Sequence, residues 1–173
     1  MGMEATKGLK LVHSAPAPGR ARAWFCGRCA TPAPEGASPA RNARVCPSCG
    51  QGLLLETLAD LRPGPDDAFL IVDSRLLVQA LSGQAEPVLG CCEEEAINRP
   101  VGELLGPAAA EERESDSFSG LLLETACGSR ELGYTYVRPR NTFGVRLRAR
   151  VCACGPPPAA LVALSSPSLL RSV

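Results

Sequence analysis

Two cysteine pairs constrain this chain more than any other feature. Cys26 and Cys29 in "WFCGRC" and Cys46 and Cys49 in "VCPSCG" repeat one spacing across a 16-residue gap. Two residues between cysteines let both sulfurs of a pair turn toward one ion, and two such knuckles supply the four tetrahedral thiolates that Zn²⁺ prefers. Gly27 and Gly50 can ease the tight turns, and Pro47 stiffens the second knuckle. The competing reading, two redox pairs, lacks the βαβ pattern of a thioredoxin-like fold. The pattern therefore predicts a small zinc ribbon with one structural Zn²⁺ per chain, held by Cys26, Cys29, Cys46 and Cys49. With all four positions filled by protein, no position stays open for a catalytic water.

That assignment needs reduced thiols, as in the cytoplasm. The first residues, "MGMEATKGLKLVHSAPAPGRARA", lack the apolar run of a secretory leader, and no apolar run is long enough to span a bilayer. A cytoplasmic, membrane-free protein is expected. Charge is balanced overall but uneven: residues 1–62 carry 8 Lys/Arg and 4 Asp/Glu, and residues 63–173 carry 10 and 14. Four thiolates and one Zn²⁺ would nearly cancel the basic excess of the first part, so charge alone does not argue for nucleic acid.

Composition divides the chain. Residues 1–23 read as a polar tail and 24–60 as the ribbon, closed by a short strand in "LLLETL". "RPGPDD" at 62–67 is a break, so two separate units are expected. Beyond it "AFLIVD" (68–73) and "LLVQAL" (76–81) read as a hairpin, followed by a helix capped by Ser82 and short helices punctuated by Gly and Pro. "DSFSGLLLETACG" (116–128) has helical apolar spacing with Gly128 as its stop, and Cys127 is expected in the core. Three strands close the unit, at 131–139, in "TFGVRLRARVCAC", and in "AALVALSS". In the middle one Phe143, Val145, Leu147, Ala149 and Val151 should face the core, opposite Arg146, Arg148 and Arg150.

The stretch "FLIVDSRLLVQALSGQAEPVLGCCEEEAINRPVGELLG" resembles the opening of a PAS (Per-Arnt-Sim) domain. The shared features are the strand ending in Asp73, the hairpin, the "AEPVLG" helix, the acidic helix at 93–97 and "RPVGELL". The resemblance covers 66–165, with 166–173 left as a tail. It implies an α+β fold, a five-stranded antiparallel sheet with short helices on one face, used to sense ligands or to make protein contacts. It also implies an apolar pocket between sheet and helices, to which Phe69, Ile71, Val145, Leu147 and Val162 would contribute. "GCCEEE" stands where flavin photosensors carry an Asn-Cys-Arg motif, and the chain's one histidine, His13, lies in the tail. Neither flavin photochemistry nor haem is expected.

The reading is thus a non-enzymatic sensory or regulatory protein in signal transduction. Its partner would be another protein or a second copy, with a small molecule as a further candidate. One alternative is a nucleic-acid-binding regulator whose ribbon contacts backbone through Arg28, Arg41 and Arg44. Another is a redox sensor using Cys91, Cys92, Cys127, Cys152 and Cys154. A chain without histidine beyond its tail lacks the usual agent of acid–base catalysis at neutral pH.

Overall fold

The computed structural model describes residues 20–34, 38–40, 42–108 and 117–166. Both termini, with His13, and also Arg41 and the acidic run 111–116, lie outside the described residues.

The chain opens with β1 (Arg22–Cys26), which begins inside the span expected to be tail. It pairs antiparallel with β2 (Leu54–Leu58), in register from Arg22↔Leu58 to Cys26↔Leu54. A 3₁₀ turn at Ala59–Leu61 leads through the Pro/Gly break to the main sheet. That sheet contains β3 (Ala68–Val72), β4 (Val78–Leu81), β5 (Leu105–Pro107), β6 (Leu132–Pro139), β7 (Leu147–Cys154) and β8 (Ala159–Ser165). Its order is β4-β3-β8-β7-β6-β5, antiparallel throughout. Five strands were expected; the sixth, β5, is a three-residue edge strand paired with the end of β6.

Among the described residues four short helices lie between β4 and β6 and cover one face: α1 (Ala85–Leu89), α2 (Glu93–Ala96), α3 (Val101–Leu104) and α4 (Phe118–Ala126). Ser117 caps α4, its Oγ accepting the Gly120 N–H at 3.0 Å. Gly128 turns the chain away with φ +78°, a conformation that glycine adopts without the Cβ clash other residues meet. Between sheet and helices sits the larger core, including Leu70, Val72, Leu89, Leu104, Leu122, Val137, Leu147, Val151 and Val162.

Part of the opposite, outer face of the sheet is covered as well. Phe25, Leu55, Leu58 and Leu61 of the ribbon unit pack on Phe69, Ile71, Cys152, Cys154 and Leu161 in a second core. Phe25 and Phe69 meet edge to face, with ring centroids 6.2 Å apart. The backbones join too: Gly155, in the turn after β7, donates to Glu56 C=O at 3.0 Å and accepts from the Glu56 N–H. Full burial stabilises a large apolar side chain by about 1.5–3 kcal/mol. Four of them form an interface comparable to a domain's net stability of roughly 5–15 kcal/mol. Ribbon and sheet therefore pack against each other as layers.

Three local expectations are corrected. Ser82 does not cap α1; it is buried, its Oγ accepting the Phe69 N–H at 2.9 Å and donating to Asp67 C=O, so it pins β3 to the end of β4. Phe143 lies outside β7 and is fully exposed, because the strand starts at Leu147 after a turn containing Gly144 at φ +77°. Cys127 follows the last turn of α4, past its buried stripe, and is exposed.

Candidate metal centre

The four ribbon cysteines converge. Their sulfurs all lie within 4.8 Å of one another, with Cys26 Sγ 3.7 Å from Cys49 Sγ and Cys29 Sγ 3.8 Å from Cys46 Sγ. A tetrahedron with metal–sulfur bonds of about 2.3 Å has edges of about 3.8 Å. The spacing thus fits a tetrahedral S₄ site. Soft thiolate ligation of that geometry suits zinc, and also iron–sulfur chemistry.

Local backbone explains the convergence. β1 delivers Cys26 to the start of the first knuckle, where the N–H groups of Arg28 and Cys29 point at its sulfur, both at 3.4 Å. In the second knuckle the Gly52 N–H donates to Cys49 Sγ at 3.3 Å. Each knuckle closes on a left-handed residue right after its second cysteine, Ala30 (φ +59°) and Gly50 (φ +68°). Gly27 has a different role: it is not left-handed, but a Cβ there would stand 3.1 Å from Leu55 Cδ1. Spacing did not reveal Gly52, where a Cβ would fall 2.3 Å from Cys26 Sγ and 2.9 Å from Arg28 Cβ. The second strand of the ribbon passes so close to the ligands that only hydrogen fits.

Electrostatically the thiols are unequal. Burial pushes Cys26 far above the ordinary thiol range, against the pull of its N–H donors. Burial also opposes ionisation of Cys49, but the N–H groups of Gly52 and Gln51 outweigh it and bring that thiol down to about 6. A divalent cation held here would resolve the difference by keeping all four sulfurs as thiolates.

The site is tied to the main sheet. Arg28, inside the first knuckle, forms an ion pair with Glu93 of α2, whose other oxygen accepts the Leu81 N–H at 3.3 Å. Arg44 donates to Pro156 C=O in the β7–β8 turn. Two of the three arginines considered for nucleic acid are thus spent within the chain. Arg41 lies outside the described residues.

The five residues expected to line one pocket do not share a face. Strand alternation puts Phe69 and Ile71 in the ribbon-side core, and Leu147 and Val162 in the helix-side core, with Val145 packed against the latter. Of the five, Ile71 lines a cleft of about 680 Å³ where ribbon and sheet meet. Its apolar wall is Leu55, Ile71, Ala80 and Ala159, and its rim carries Arg28, Asp73, Arg75, Gln79 and Glu93.

The remaining cysteines are all free thiols. Cys91 packs against the helix-side core, while Cys92 stands at the N-cap of α2, its N–H donating to Glu95 Oε2 at 3.3 Å. Cys152 and Cys154 lie under the ribbon. Burial raises the thiols of Cys91, Cys152 and Cys154, which keeps them from the thiolate form that reacts.

No family model matches the chain, and no curated protein matches it either. Among solved structures it is similar to the PAS domain of nitrogen regulation protein NR(II) from Vibrio parahaemolyticus. The identity is 16%, the match covers 58% of this chain and 88% of that one, and the TM-score is 0.43. The chain's own architecture is α+β: an antiparallel six-stranded sheet, short helices on one face, and a four-cysteine unit ahead of it.

Proposed function

We propose that this protein is a non-catalytic regulatory module of signal transduction, in which one structural Zn²⁺ holds the ribbon on a PAS-like sheet and the output is contact with another protein. The observation that carries this reading is the S₄ cluster welded to the sheet by a buried apolar interface. A site closed by four protein sulfurs builds shape rather than chemistry. The bound metal would supply folding free energy and nothing else: Cys26, Cys29, Cys46 and Cys49 hold it, and the N–H groups of Arg28, Cys29 and Gly52 share the sulfurs' charge. The cytoplasm, whose reducing poise keeps such thiols available, is the compartment that suits the site. Among the described residues no helix is long and apolar enough to cross a membrane.

Native mass spectrometry of protein purified from its own host tests this reading. It should show one zinc per chain together with a bound protein partner or a second copy. Protein that is folded but metal-free, or that carries iron, would contradict it.

Ligand sensing is a second reading, favoured by the cleft at the ribbon–sheet junction, whose volume falls in the range of small-molecule sites. A metabolite thermal-shift screen on wild type and on Ala80→Phe, which fills that cleft, separates the readings. A hit lost in the variant supports sensing, and no hit leaves protein contact as the output.

A further inference from the structure

The ribbon covers only part of the sheet's outer face. Beyond it, Tyr134, Tyr136 and Arg138 of β6 lie open beside Arg146, Arg148 and Arg150 at the start of β7. Arg146 stacks over the Tyr136 ring at 4.0 Å and Arg148 over the Tyr134 ring at 4.5 Å. These diagonal pairs hold both guanidiniums over tyrosine rings on the sheet. Six other arginines, at 20, 22, 28, 75, 99 and 130, each have a carboxylate partner. Among the described residues Arg138, Arg146 and Arg148 have none. Arg150 donates one Nη to Leu61 C=O at 3.1 Å, yet its Nε–H is buried with no acceptor. It borders a cleft of about 280 Å³, lined also by Asp67, Tyr134, Arg148 and Ser165. Asp67 already accepts the Gly64 N–H at 2.8 Å.

We propose that this Arg–Tyr face is the docking surface for an acidic segment of a partner protein, an inference that rests on protein contact being the module's output. Charge complementarity names the carboxylate, which exposed guanidinium edges bind bidentately. The stacking argues against nucleic acid, because the tyrosine faces on which bases would stack are occupied by guanidinium. The arginines recur at every second residue of β7, a repeat of roughly 6.5–7 Å. An extended segment with an acidic residue at every second position matches that repeat.

The test uses the full zinc-loaded chain and a labelled peptide alternating glutamate with serine. A glutamine–serine peptide and an oligothymidylate of equal charge serve as comparisons, at low and at physiological ionic strength. The acidic peptide should bind best and lose affinity with salt, about ten-fold or more of it vanishing in Arg146→Ser/Arg148→Ser. Arg146→Lys/Arg148→Lys should fall between, since charge remains and the planar fork is gone. Arg99→Ser, an arginine on the helix side paired with Glu103, should bind as wild type does. No binding of the acidic peptide at low salt, equal affinity in the double serine variant, or tighter binding of the oligothymidylate would overturn the proposal. Zinc content and folding are read on the same samples. A docking failure in zinc-loaded, folded protein thus counts against this face alone, not against the module.

Discussion

At Gly52 the room available to one atom decides whether the metal site can form. A Cβ there would overlap Cys26 Sγ, the most buried of the ligand sulfurs. Gly52→Ala should therefore weaken zinc binding by about 10–100-fold, the usual loss when a ligand's support is disturbed, as measured by competition with a chromogenic chelator. Gly50→Ala offers the contrast. Its Cβ would meet open space, so the cost is the left-handed φ alone, about 1–2 kcal/mol of stability with zinc retained. Equal metal loss in both would show that the close approach at Gly52 does not matter. The four ligands were legible because their spacing is a local property of two knuckles. Gly52 was not, because what crowds it is a cysteine 26 residues away, brought close only by the β1–β2 pairing.

The strands carried more information than a one-sided sheet can use. β6 alternates buried and exposed positions, as a strand with one solvated face does. "AFLIV" in β3 and "AALVAL" in β8 are continuous apolar runs, and both are buried almost throughout. β7 switches from the first pattern to the second at Cys152, where the ribbon begins to cover it. The continuous runs were the available sign that a second layer lies on the sheet. Assigning Phe69, Ile71, Leu147 and Val162 to a single pocket ignored the period of two, which sends neighbouring side chains to opposite faces. Phase is testable strand by strand. Leu147→Asp and Ile71→Asp should each cost several kcal/mol in chemical denaturation, since each buries a charge in a different core. Arg148→Ala should cost no more than about 1 kcal/mol, the scale of an exposed cation–π pair. A mild effect of Ile71→Asp would mean that the ribbon does not seal the outer face. On the helix side, Gly133→Ala should cost about 1–3 kcal/mol by overpacking, because its Cβ would meet Leu121 Cδ1 of α4 at 2.3 Å.

At the scale of the whole molecule, the Pro/Gly break at 62–67 lies between ribbon and sheet, and apolar packing joins the two across it. A linker's composition reports the freedom of the linker, not whether the units it joins have complementary surfaces. Here the ribbon's own core is only Cys26, Cys46 and Leu54, with Trp24, Cys29 and Cys49 at its edge. Its larger apolar side chains, Phe25, Leu55, Leu58 and Leu61, are committed to the sheet. A metal held by the four cysteines would therefore stabilise the outer core as well as the ribbon. Hydrogen exchange on Cys46→Ser beside the zinc-loaded wild type tests that coupling most directly. If ribbon and sheet are one metal-dependent unit, the variant should lose protection in β1 and β2 and also in β3, the end of β7 and β8. Lost protection confined to residues 22–58, with those sheet strands exchanging as in wild type, would contradict it.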